Sequence, residues 1–239
     1  MNKRYTHIFF DLDNTLWDFE TNSRIAMFET FKSYKLSAFV EFDHFFEVYT
    51  KNNHLLWESY RNKTIPKNEL VRLRFQLTLD ELGITGIDAV VMNSHYLHVM
   101  PDQNKLNSGA AELLQYLKQK SYQIAIITNG FKEVQYRKIE TSGLKSFISG
   151  IYISEVVQLA EPEPGIFEYA VKSSNAPKVK SIMIGDDWEV DVLGAVVYGI
   201  DAVYFNKSGT NNEMKAINTG HKNRNVYEIN QLINLRYLF

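Results

Sequence analysis

Three short polar segments each follow an apolar run: Asp11-Leu12-Asp13-Asn14-Thr15 after THIFF, Thr128-Asn129-Gly130 after QIAII, and Gly185-Asp186-Asp187, with Asp191 close behind, after SIMI. Carboxylates gathered with few cations repel one another, and the usual reason to tolerate the crowding is a hard metal ion with oxygen ligands. Mg²⁺ suits such a set, because it keeps waters, takes one or two carboxylates and leaves positions for phosphate oxygens. A carboxylate is also a nucleophile toward phosphorus, and the residue two positions along an extended segment can sit beside it to give and take a proton. Nothing in the chain suits zinc. His95 and His98 have a spacing that can hold a metal on a helix, but no acidic partner pattern accompanies them.

These segments meet only if the chain builds a parallel sheet, whose strands all carry their carboxyl ends to one edge, where ligands of open α/β folds bind. The hydrophobic runs at 6–10, 123–128, 150–154, 181–185 and 201–205 are continuous rather than alternating, as in strands buried on both faces. Helical patterns lie between them at 109–120, 132–142, 164–173 and 189–198, stopped or started by Gly143, Pro164 and Gly199. Alternation of this kind predicts a doubly wound parallel sheet. From about 19 to 100 there is no buried-strand run, only helical spacing broken near Ser37, Thr64 to Pro66 and Gly83 to Gly86. About four helices are expected there, inserted as a bundle after the first strand: a core of 1–15 and 105–239, and a helical domain of 16–104. The polar segment 206–225 reads as a surface loop.

Composition narrows the function classes. The 239 residues are 45% hydrophobic and 23% charged, with a net charge of -2, which leaves no cationic excess for a nucleic-acid backbone. There is no cysteine, which excludes a disulfide scaffold and thiol catalysis and fits a reducing compartment. The first apolar run ends at Asp11, and no stretch approaches the ~18 apolar residues of a membrane span. A cytoplasmic enzyme with a small-molecule substrate, a monomer or homodimer without a membrane or nucleic-acid partner, is the expectation.

The segments DLDNT, ITNG, EPEPGIF and GDDWEVDVLGA, in that order, resemble the four motifs of the haloacid dehalogenase (HAD) superfamily, and the helical insertion stands where its type-one cap stands. D-x-D-x-T alone is a common string; four motifs in order on successive strand ends are specific. The resemblance implies a Rossmann-like core and Mg²⁺ as cofactor. It makes Asp11 the nucleophile and a metal ligand, and Asp13 the general acid and base, with its backbone carbonyl on the metal. Thr128 and Asn129 then bind substrate, Asp186 completes the metal site, and Asp187 and Asp191 support it. Members that attack carbon typically carry an aromatic residue where Asp13 stands, so dehalogenase chemistry is disfavoured and phosphoryl transfer favoured. The segment GFKEVQYRKIETSGL and the chain ending resemble the pyrimidine-nucleotidase-like branch.

One position departs from the pattern. The family's third motif has a Lys that neutralises the nucleophile and the transferring phosphoryl group; here that position is Glu161. A charge about 4 Å away is worth ~4 kcal/mol at an effective dielectric near 20, so the reversed sign raises a second reading, a catalytically weakened phosphate- or ligand-binding protein. Lys132, just past the second motif, is the alternative cation in sequence, and an exposed helix start is the plainer reading of it. Trp17, Phe19, Trp57 and Tyr60 fit either a base pocket or core packing. Arg61, Arg72 and Arg74 read as solvated helix residues.

Overall fold

Apolar residues in a dry interior can satisfy their backbone only by pairing, and of the five apolar runs four are paired on both sides and the fifth, 150–153, forms one edge of a seven-stranded sheet in the computed structural model. The structure describes residues 4–210, 213–220 and 224–239. The strands are β1 (His7–Phe10), β2 (Gln123–Thr128), β3 (Gly150–Ile153), β4 (Ser181–Gly185), β5 (Asp201–Phe205), β6 (Lys215–Ile217) and β7 (Val226–Ile229). Their spatial order is β3-β2-β1-β4-β5-β7-β6, parallel throughout except for β6, which runs antiparallel to β7 at the edge. Such an order reverses direction at β1 and β4, the crevice in which doubly wound sheets hold their ligands. Phe10 is in register with Ile184 and with Ile126, and the Asp11 N–H donates to the Ile184 carbonyl at 2.9 Å, so Asp11 leaves β1 level with the end of β4.

The helices that cover this sheet are α5 (Ala110–Gln119), α6 (Lys132–Thr141), the short α7 (Ser154–Val157), α8 (Pro164–Ser173) and α9 (Gly194–Tyr198). Phe9, Ala125, Ile127 and Met183 on one face of the sheet pack with Ile166, Phe167 and Ala170 of α8 and with Ala195 and Val196 of α9. Because alternate strand residues face opposite ways, Ile8, Phe10, Ile126 and Ile184, all fully buried, serve the other layer. The run expected as one helix over 189–198 begins instead as a π-helical turn at Trp188–Leu193 before α9.

Two further departures from the sequence reading concern the far edge. β7, whose middle residues Tyr227 and Glu228 are half-buried, and the three-residue β6 carry no buried apolar run, and only pairing defines them. The supposed loop 206–225 therefore contains a strand, and its residues 211–212 and 221–223 lie outside the described residues, as do 1–3.

The chain divides into two compact units, Met1–Phe19 with Asn104–Phe239, and Glu20–Gln103. The second unit holds nearly all of α1 (Phe19–Ser33), then α2 (Phe42–Arg61), α3 (Lys67–Glu81) and α4 (Ala89–Val99), with no strand. Tyr49, Phe75 and Tyr96 pack edge to face or tilted at its centre, with centroids 5.0 to 5.8 Å apart. Asp88 caps α4 by accepting from the Val90 and Val91 N–H groups. Arg74 is not solvated as the sequence suggested: it is 3% exposed, and its Nε donates to Asn93 Oδ1 at 2.6 Å. Among the described residues no helix is long and apolar enough to cross a membrane.

Candidate active site

The loop that leaves β1 is folded tightly on itself. Trp17 N–H donates to the Leu12 carbonyl at 2.8 Å, and Asn14 takes a left-handed backbone (φ 61), which Asn tolerates better than most residues. Asn107 fastens the turn from outside, its amide donating to the Asn14 and Thr15 carbonyls. Thr15, fully buried, donates its hydroxyl to Asp186 Oδ1 at 3.1 Å and so links the end of β1 to the end of β4.

Asp11, Glu161 and Asp191 each bring a carboxylate oxygen within 4.8 Å of the other two. Asp191 reaches this place because Gly185 has no side chain: a Cβ there would collide with the Asp191 carboxyl group. Its Oδ2 accepts the Asp187 N–H at 2.9 Å. Asp187, expected as support for a metal, caps the π-helical turn, its Oδ1 accepting from the Glu189 and Val190 N–H groups. Glu161 is 3% exposed, and its carboxyl group lies among those of Asp11 and Asp191. Its Oε1 is buried without a hydrogen-bond partner. Asn129, expected to touch substrate, spends its side chain on Glu161: its Nδ2 donates to the Glu161 carbonyl at 3.0 Å and its Oδ1 accepts the Glu161 N–H at 3.1 Å. The third motif's segment is thereby held against the end of β2.

The electrostatics are those of charges forced together. Burial, followed by Asp191, Asp186, Glu161 and Asp13, pushes the Asp11 carboxyl well above the usual carboxylate range. Burial and then Asp191 do the same to Glu161; burial and then Asp186 do the same to Asp191. Asp186 is pushed up to about 6 by burial, against the pull of the Thr15 hydrogen bond. Two ionised carboxylates at 4.8 Å repel by about 3 kcal/mol at an effective dielectric near 20. A hard divalent cation answers this donor set, since every donor is oxygen and one buried oxygen lacks a partner. Among the described residues the sole such group is this one, and His95 and His98 are not part of it.

A stability test follows. With its folded pKa raised, Asp186 binds a proton in the folded chain that the unfolded chain has already lost, so stability falls as pH rises through the window from about 4 to about 6. At most about 3 kcal/mol is involved, roughly two pKa units. In the presence of a chelator, Asp186→Asn is expected to gain Tm over the original protein as pH goes from 5 to 7.5. A gap that shrinks over this range would contradict the crowding.

Sequence reasoning missed the buried cation. Lys132 is exposed, whereas Lys138, six residues further along α6, places its Nζ 2.6 and 2.9 Å from the two carboxylate oxygens of Asp13. Gln135, also on α6 and fully buried, donates to Asp13 Oδ2 at 3.0 Å and to Thr128 Oγ1 at 2.8 Å. The signal was available: both polar residues share the inward stripe of α6 with Val134 and Ile139, where an apolar residue is the default. Trp17 is fully buried core and lies 4.4 Å from the Lys138 ammonium, while Trp57 and Tyr60 are half-buried in the helical unit.

Comparison with known proteins places this geometry. A model of the haloacid dehalogenase-like hydrolases matches residues 5–199. The chain is 29% identical over 213 residues to the pyrimidine 5'-nucleotidase PynA of Streptococcus pneumoniae, covering 89% of this chain and 88% of that one. It is 30% identical over 204 residues to the pyrimidine 5'-nucleotidase YjjG of Escherichia coli, covering 85% and 87%. The solved structure of the putative HAD-hydrolase YfnB of Bacillus subtilis, bound to magnesium, is 26% identical and superposes with a TM-score of 0.82 over 99% of both chains. With strand order, motif positions and relatives in agreement, this chain belongs to the haloacid dehalogenase-like hydrolase family.

Proposed function

We propose that the protein is a cytoplasmic Mg²⁺-dependent phosphatase acting on a small phosphate monoester, in the first instance a pyrimidine nucleoside monophosphate, through a phosphorylated Asp11. The observation that carries this reading is the arrangement at the ends of β1 and β4, where Asp11 stands among carboxyl groups with Asp13 two residues on. The pyrimidine nucleotidase relatives support the substrate class.

In the first half-reaction an Asp11 oxygen bonds to phosphorus, the bond from phosphorus to the leaving oxygen breaks, and Asp13 gives that oxygen a proton. In the second, Asp13 takes a proton from water as the water oxygen attacks phosphorus, which frees phosphate and restores Asp11. Thr128 Oγ1 already accepts from Gln135, so its own hydroxyl hydrogen is available to a phosphoryl oxygen, as are the backbone N–H groups after Asp11. Asp11, Asp186 and the Asp13 carbonyl, with the Glu161 and Asp191 oxygens beside Asp11, would hold Mg²⁺, which would supply positive charge to the phosphoryl oxygens. We assign the helical unit the cap's task of choosing the substrate.

The test is a panel of phosphate monoesters, pyrimidine and purine nucleoside monophosphates and p-nitrophenyl phosphate among them, assayed with Mg²⁺ and with chelator. Metal-dependent turnover supports the reading, and its absence across the panel overturns it. Glu161, an acid buried among acids, favours one other reading, a phosphate-binding protein of the same fold that does not turn over. Binding of inorganic phosphate without hydrolysis of any ester would support that alternative.

Asp186→Asn offers a finer check. Removing one carboxylate from the metal set is expected to raise the Mg²⁺ concentration for half-maximal activity by several-fold, toward the ~10-fold that loss of one supporting ligand can cost. An unchanged Mg²⁺ requirement would remove Asp186 from the metal site.

A further inference from the structure

We propose that Lys138 is a positioning residue for Asp13: an ammonium delivered from inside α6 that holds the proton-handling carboxylate in one orientation. The inference rests on the phosphatase reading and adds to it a residue outside the four motifs.

Both oxygens of Asp13 are engaged from a single helix face, at 2.6 and 2.9 Å by Lys138 Nζ and at 3.0 Å by Gln135 Nε2. The same Gln135 amide reaches Thr128, so α6 ties the end of β1 to the end of β2 through polar groups alone. The Lys138 side chain is 2% exposed, and its ammonium lies 4.4 Å from the Trp17 ring centroid and 5.3 Å from that of Phe19. Aromatic faces favour a cation there, which offsets part of its lost hydration.

Burying an ammonium costs several kcal/mol, and a well-packed apolar pair of similar volume is often as stable or more so. Anchoring α6 against the β1 loop therefore does not by itself require Lys at this position; a Met would fill the same slot between Trp17 and Phe19. What a Met cannot do is fix a carboxylate. Residue 161, an acid at 3% exposure, brings no positive charge to Asp13, and the ion pair from Lys138 does.

A double-mutant cycle tests this, using p-nitrophenyl phosphate hydrolysis at saturating Mg²⁺ for the original protein, Lys138→Met, Asp13→Asn and the pair, with Tm as a check on folding. Lys138→Met is expected to lower kcat by about tenfold or more, a part of the ~10²–10⁴ that a positioned acid-base group contributes, with KM within about threefold. In the Asp13→Asn background the same substitution is expected to change kcat by less than about twofold, because a residue that acts through Asp13 has nothing left to position. Lys138→Arg is expected to keep more activity than Lys138→Met. A folded Lys138→Met with the original kcat overturns the proposal, as does a loss of equal size in both backgrounds. If Lys138→Met does not fold, Lys138→Gln takes its place in the same cycle. An original protein without activity on any ester instead overturns the phosphatase reading, so the two failures are distinct.

Discussion

Asp11→Asn is expected to lower phosphate-ester hydrolysis by about 10⁴-fold or more while leaving the protein folded, since removing one member of a hydrolase's catalytic triad costs ~10⁴–10⁶. The amide conserves the shape of the side chain and removes its nucleophilic charge. It also relieves the cluster, because Asp11 is held within 4.8 Å of Glu161 and Asp191 oxygens and is pushed toward protonation by burial first and then by the neighbouring carboxylates. The Tm of the metal-free variant should therefore equal or exceed that of the original protein. Hydrolysis of p-nitrophenyl phosphate at saturating Mg²⁺, with Tm measured alongside, decides the matter. Full Mg²⁺-dependent turnover by Asp11→Asn would mean that another group attacks phosphorus.

Glu161→Lys is expected to raise turnover by tenfold or more. The Glu161 carboxyl sits within 4.8 Å of Asp11 and Asp191 oxygens, so an ammonium there would meet two acids in place of a third. In phosphoryl transfer a well-placed cation is worth ~10³–10⁵ in rate, because charge stabilisation is most of what the protein supplies. The gain here is expected to be smaller than that ceiling, since a bound Mg²⁺ would provide part of the charge and Lys138 already faces Asp13. Gly194 packs close to the Pro162 backbone, so the segment has a neighbour that should keep it in place when the side chain changes. Steady-state hydrolysis of one ester by both proteins is the measurement. An unchanged rate in a folded variant would show that position 161 has no influence on the transferring group, and a lower rate that another residue has taken over the role of a lysine there; either would leave Glu161 without weight as a reason to suspect a non-catalytic protein.

Much of the architecture was legible before any coordinates. Continuous apolar runs such as QIAIIT and SIMIG become central parallel strands because a strand covered by helices on both faces has no solvent side on which to place polar residues. The interval between the first strand and α5 reads as helices because its apolar residues recur at helical spacing, and four helices occupy it. β6 and β7 were not legible. A three-residue edge strand has no burial pattern of its own and exists through its backbone pairing to a neighbour.

For the site, the sequence by itself determined which chemistry was on offer: carboxylates directly after buried strands, in a chain with no thiol and no cationic excess. Parallel pairing made their convergence a matter of topology, because every strand ends at the same edge. Only the tertiary structure decided which of them meet. Asp191 joins Asp11 because Gly185 leaves room for it, Asp187 caps a helical turn, and the Glu161 backbone is held by Asn129. It also decided where the positive charge comes from. The inward stripe of α6 marks Lys138 as a polar residue at an apolar position, but its role depends on a partner, Asp13, that lies 125 positions away. Local propensity and spacing carry no information about such a pair. The energy that selects it, an ion pair in a dry interior against the cost of burying each charge alone, arises only when packing has removed the water.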